Sequence, residues 1–175
     1  MFTNAKNKIV GILIIIYFVF TGCKISNEEQ VMRKVEVEFE KTLLTATNTQ
    51  AAKSSVYMVI PRAGCSGCIS SAEAFMIECL DDSVKRNRIN FILTNFDSKK
   101  IIKARFGNYI SENPNTILVD DNDLFTKNLS LKSMYPAIYF FDDEGHLNKV
   151  SEVSPTQDGL SEVAKYFAAY NKKQK

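Results

Sequence analysis

One short stretch sets most of what this chain can be. Ser55-Val-Tyr-Met-Val-Ile60 is rich in β-branched and aromatic residues and runs into Pro61, which has no N–H to give a ladder. Three residues of loop follow, Arg62-Ala63-Gly64, and then Cys65-Ser66-Gly67-Cys68 opens a segment with apolar positions at 68, 72, 75, 76 and 79. That spacing predicts a helix over 65–80. A strand that passes directly into a helix through a tight loop, with two cysteines in the helix's first turn, leaves few architectures open. Residues three apart in a first turn share one side, so the two sulfurs can reach bonding distance. The unpaired N–H groups there favour a thiolate on Cys65, and the thiolate is the reactive form of the thiol. Cys65 is expected as the attacking thiol, and Cys68, one turn further in, as the one that resolves a mixed disulfide.

The remaining pattern extends this unit. Met32, Val35, Phe39, Leu43 and Ala46 make one helical stripe; Ile89–Asn95 reads as a second strand. Ile102, Phe106, Tyr109 and Ile110 mark another helix, and Thr116–Val119 a short strand. Residues 120–133 are polar, with Leu124, Phe125, Leu129 and Leu131 expected to turn inward. Ala137-Ile-Tyr-Phe-Phe141 is a strong strand, Asp142–Gly145 a turn, and His146–Val150 the returning strand of a hairpin. Leu160, Val163, Ala164, Phe167 and Tyr170 close the chain with an amphipathic helix. Helices between the early strands predict a sheet that is parallel in its first half and antiparallel at its end. The 175 residues show no repeat or linker, so 31–175 is expected to be one domain.

The N-terminus reads as an address. Lys6 and Lys8 precede a twelve-residue apolar run, Ile9–Phe20, too short to span a membrane and of the length found in signal peptides. Thr21, Gly22 and Cys23 follow, and Phe-Thr-Gly-Cys resembles a bacterial lipobox. That resemblance implies a signal peptide over 1–22, lipid on the Cys23 thiol, and a polar tether over 23–30. An uncleaved or ordinary secretory signal with an incidental cysteine is the alternative. No aspartate follows Cys23, which by the same resemblance does not favour inner-membrane retention. The implied place is the bacterial cell envelope, lipid-anchored and facing the periplasm, where disulfides persist. With 22 basic and 20 acidic residues there is no basic stripe, so no nucleic-acid partner is expected.

The strand–Cys-Ser-Gly-Cys–helix unit, the element order, and Met134-Tyr135-Pro136 just ahead of Ala-Ile-Tyr-Phe-Phe resemble the thioredoxin-like superfamily, especially its membrane-anchored bacterial thiol–disulfide oxidoreductases, over about residues 31–173. The resemblance implies a three-layer α/β/α fold with a mixed central sheet, ending in a β-hairpin and a helix. It implies protein thiol or disulfide clients and a redox partner, with no cofactor and no metal. It makes Pro136 a cis proline facing the cysteine pair, with Tyr135 offering its backbone to an extended substrate peptide. This sequence departs from the family at Gly64, where Trp is usual, at Ser66-Gly67 in place of Gly-Pro, and at Val59, where thioredoxin has a buried acid. These departures bear on reducing power, proton handling and choice of partner.

Two competing readings use the same cysteines. Gly-Cys-Ser-Gly-Cys resembles the loop of heavy-metal-associated domains, which implies a Cu(I) carrier. A thioredoxin-like domain with weak redox activity and a role in protein interaction is the other. Cys79 falls on the buried stripe, about 16 Å along the axis from Cys68, and reads as core. Arg62 could lower the Cys65 pKa, or be a solvated loop residue. His146, the one histidine, reads as a surface residue of the turn, and Asp120, Asp121 and Asp123 as a solvated loop.

Overall fold

The computed structural model describes residues 27–96 and 99–173. The signal segment 1–22, Cys23 and residues 24–26 lie outside the described residues. Met32–Lys175 form one compact unit. The elements run α1 (Asn27–Thr47), β1 (Val56–Pro61), α2 (Ser66–Asp81), α3 (Ser83–Arg86), β2 (Ile89–Thr94) and α4 (Lys99–Glu112). They continue with β3 (Ile117–Asp120), α5 (Leu124–Lys127), β4 (Ala137–Phe141), β5 (Leu147–Ser154), β6 (Gln157–Asp158) and α6 (Gly159–Lys173). No described helix is long and apolar enough to cross a membrane.

The strands form one sheet in the order β3-β2-β1-β4-β5-β6. β1, β2 and β3 are parallel; β4 and β5 join antiparallel beside β1, and β6 extends that edge. β1 is therefore central, and all six of its residues are buried. Its alternating side chains split between two cores. Val56, Met58 and Ile60 face the layer of α2, α4 and α6, against Ala72, Met76, Ile102, Phe106, Val163 and Phe167. Tyr57 and Val59 face α1 and the turn after β3, against Phe39, Leu43, Phe125 and Leu131. The result is the expected three-layer α/β/α arrangement with a mixed sheet, terminal hairpin and terminal helix.

Phe39 explains why α1 docks where it does. Its ring lies 4.5 Å from Tyr139, 5.4 Å from Tyr57 and Phe141, and 5.5 Å from Phe125, centroid to centroid. Burying that ring contributes roughly 2–3 kcal/mol. α1 begins at Asn27, so residues 27–30, the end of the expected tether, are helical. Glu28 and Glu29 in its first turn suit the positive end of the helix dipole.

Other boundaries moved for local reasons. Pro61 ends β1 from inside, opposite Thr94, at the strand's last position where its missing N–H costs nothing. The short α3 exists because Asp82 caps it, its Oδ1 accepting from the Val84 and Lys85 N–H groups. Asp120 is not a solvated acid. It is 2% exposed and accepts from the Thr94 hydroxyl (2.8 Å) and the Phe125 N–H (2.9 Å), so it ties α5 to the sheet. Leu131 and Phe125 turn inward as the pattern implies, but Leu129 is 90% exposed. Leu129 lies beyond the end of α5, in the turn that follows it, and faces solvent.

Candidate functional site

The site sits where β1 delivers the chain to α2. The Arg62 N–H donates to the Thr94 carbonyl (3.0 Å), which pins the loop to β2 as it leaves the sheet. Cys65 takes an extended conformation (φ −69°, ψ 101°) and acts as the N-cap of α2. Its Sγ accepts from the Cys68 N–H at 3.4 Å. An N-cap is normally an oxygen; here a sulfur meets the same orphan donor. The helix's positive end stands behind that N–H, a setting that favours negative charge on the sulfur.

Cys65 and Cys68 are joined as a disulfide with their Cα atoms 5.3 Å apart. Both are half-buried, but only Cys68 packs against the core. Ser66 and Gly67 between them are exposed.

Gly64 is the hinge of the geometry. Its φ is +143°, and a Cβ there would stand 2.0 Å from the Met134 carbonyl oxygen. That oxygen accepts the Cys65 N–H at 3.1 Å. Only a residue without a side chain lets the 133–136 loop come so close, so Gly rather than the bulky residue of the family is required here. Gly67 has open space around its Cβ position, and so needs no such explanation.

The loop opposite the pair is itself tied down. The Tyr135 N–H donates to Ser133 Oγ (3.0 Å), and the Ser133 hydroxyl donates to Glu152 Oε1 (2.7 Å). The Pro136 carbonyl accepts from the Val153 N–H (2.9 Å). Pro136 is buried and Tyr135 half-buried. Among the described residues no peptide bond is cis, so the expected cis Pro136 is corrected to trans. Trans is the intrinsically favoured isomer, by about 0.5–1 kcal/mol for X–Pro bonds.

The residue whose backbone touches the redox turn is thus Met134, one position before the predicted Tyr135. Its side chain is 60% exposed beside the pair. Gly64 was the available signal: a glycine next to a redox cysteine marks a place where another backbone must pass close by.

The other candidates fall elsewhere. Cys79 is fully buried and unbridged, and burial pushes its thiol up to about 12. His146 stays on the surface, its Nδ1 3.1 Å from Glu36 Oε1, which holds its pKa above the usual value. No cluster of three metal-ligating side chains occurs among the described residues. Sequence reasoning missed Glu73 entirely. It lies on α2 with its side chain 8% exposed and paired to Arg105 of α4. Burial raises its carboxyl above the ordinary range, while Arg105 and Arg62 draw it back down.

The Redoxin family profile matches residues 27–170. Three solved structures share parts of the chain's form. One, described as a thioredoxin from Neisseria meningitidis, is 16% identical, with 66% of this chain and 77% of that one covered and a TM-score of 0.44. A thioredoxin-like protein from Porphyromonas gingivalis is 17% identical, with 70% and 79% covered and a TM-score of 0.42. An exposed lipoprotein thioredoxin from Streptococcus pneumoniae is 22% identical, with 56% and 74% covered and a TM-score of 0.34. No curated protein matches the chain.

Proposed function

The chain belongs to the Redoxin family, within the thioredoxin-like superfamily, and from that premise we propose that it exchanges disulfides with client proteins through Cys65 and Cys68. The reading includes the extracytoplasmic place: a signal peptide over 1–22, lipid on Cys23, and a domain held at the envelope membrane, facing the periplasm. Lys6, Lys8, the apolar run to Phe20 and Gly22-Cys23 support that part.

The single observation that carries the reading is the bridged pair at the exposed tip of α2, with Cys65 as N-cap and the Met134 carbonyl on its N–H. In the reducing direction the Cys65 thiolate attacks one sulfur of a client disulfide. A Cys65–client bond forms, the client bond breaks, and its other sulfur leaves as a thiolate that takes a proton from water. Cys68, deprotonated, then attacks the Cys65 sulfur. The Cys65–Cys68 bond forms and the second client sulfur leaves. Two electrons have passed to the client, and a dithiol partner returns the pair to the reduced state. The same steps reversed oxidise a client. The N–H of Cys68 and the helix end stabilise the Cys65 thiolate as the attacker in the reducing direction and as the leaving group in the reverse one. The Met134 carbonyl borders the pair, and in this reading Tyr135 and Pro136, next in the chain, take part in receiving the client.

The test is turnover of a protein disulfide by the full chain in detergent, with a thiol reductant as electron source. Wild type turns over many equivalents. Cys65→Ser and Cys68→Ser both stop the cycle. Full activity in Cys65→Ser would exclude the assignment.

A further inference from the structure

α2 carries a buried acid that the exchange chemistry above does not use. Glu73 stands eight residues after Cys65, on the row Cys65–Ile69–Glu73, whose members are four apart and share one helix face. Long helical side chains tend to lean toward the helix N-terminus, which in α2 is the cysteine end. One cation meets the Glu73 carboxylate directly, and a second acts on it from the loop before Cys65. Arg105 of α4 forms a direct ion pair, its guanidinium 5.3 Å above the Phe106 ring. Arg62, in the loop three residues before Cys65, acts on the same carboxylate through its charge. The helix's own positive end adds to the charge at the cysteine end. A core position filled by Leu or Ala would need none of these partners, and a buried ion pair adds little net stability. The cluster therefore calls for an explanation other than packing.

We propose that Arg62, Glu73 and Arg105 form a charge cluster that sets the reactivity of Cys65, with Glu73 as a positioning residue that offsets the two arginines. The inference rests on Cys65 being the attacking thiol. Arg62 and Arg105 add positive potential along the row that ends at Cys65 and stabilise its thiolate. Glu73 cancels part of that potential. Without it the thiolate forms at lower pH but is a weaker nucleophile and a better leaving group, and the disulfide becomes more oxidising. Eight residues span about 12 Å of helix. At an effective dielectric near 20, one charge at that distance moves a titration midpoint by up to about one pH unit, roughly tenfold in thiolate fraction at a fixed pH below it.

The experiment uses the reduced full chain in detergent. The rate of iodoacetamide alkylation at Cys65 is followed against pH, with the Cys65 peptide identified by mass spectrometry. Glu73→Gln is expected to lower the midpoint by up to about one unit, and Arg105→Met and Arg62→Met to raise it by similar amounts. Glu73→Gln combined with Arg105→Met returns it toward wild type, and Glu73→Asp, which keeps the charge, leaves it nearly unchanged. Opposite signs from neighbouring variants mark charge; loosened packing would move all of them the same way. A common direction, or midpoints unchanged in variants whose circular dichroism is native, would overturn the proposal. If the unchanged midpoints come from a chain that still turns over client disulfides, this inference fails alone. If the midpoints move as expected in a chain that never exchanges a client disulfide, the functional reading fails and the charge cluster stands.

Discussion

At one end of α2, Cys65 caps the helix beside exposed Ser66 and Gly67, and its sulfur receives a backbone N–H. At the other end Cys79 is packed among core residues with no surface exposed. The helix and the side chain are the same; solvent, dipole and neighbours are opposite. The tip stabilises a thiolate and admits a second sulfur, whereas the interior pushes the Cys79 thiol up to about 12. Cysteine chemistry in this chain is therefore decided by where the helix places the sulfur, not by how many sulfurs it carries.

The largest effect expected from this contrast is at Cys65. Cys65→Ser brings disulfide turnover to the background rate, while Cys79→Ala leaves it at the wild-type rate. A drop in both would break the distinction between the two ends. Next comes the turn that presents the tip. Gly64→Ala forces a Cβ into the Met134 carbonyl from a left-handed φ, and urea melts should show a loss of about 1–3 kcal/mol. Turnover should fall with it, because the Cys65 N–H loses its acceptor.

At the buried end, Cys79→Ser puts an unpartnered hydroxyl into an apolar site and should cost about 1–3 kcal/mol in the same melts. Client turnover measured well below the unfolding midpoint should not change. The smallest effect is the pH dependence of stability from the same thiol. Its folded pKa is raised from 9.0 to about 12. The unfolded chain gives up this proton first, so the contribution is complete below 9.0 and is lost progressively as pH rises toward 12. Wild type should lose stability relative to Cys79→Ala across that interval and show no pH-dependent difference from it near neutrality.

Much of this was open to a reader of the sequence, and the exceptions have a common cause. Periodicity places β1, α2, β2, β4 and α6 within a residue or two, because burial on one face or both leaves a regular trace. The stripe from Met32 to Ala46 foretold the face of α1 in the same way. What periodicity cannot carry is contact between distant segments. Asp120 looks like one of three loop acids until Thr94 and the Phe125 N–H close around it. Glu73 looks like a solvated helix residue until α4 brings Arg105 against it. The approach of Met134 to Gly64 joins segments 70 residues apart in the chain, and only the glycine itself hinted at it. The trans bond before Pro136 likewise lies in a loop held by long-range contact, the Val153 N–H on the Pro136 carbonyl, as well as by the Tyr135 N–H on Ser133 Oγ.

The most direct test of the central idea is to stop the exchange halfway. The reduced full chain carrying Cys68→Ser is mixed with a protein that has one accessible disulfide, quenched with acid, and weighed by intact-mass spectrometry, with the linked cysteine located after digestion. One client should be held per chain, bound to Cys65 and released by a small thiol. A client captured at Cys79, capture that persists when Cys65 is also changed to Ser, or no capture at all would contradict the account.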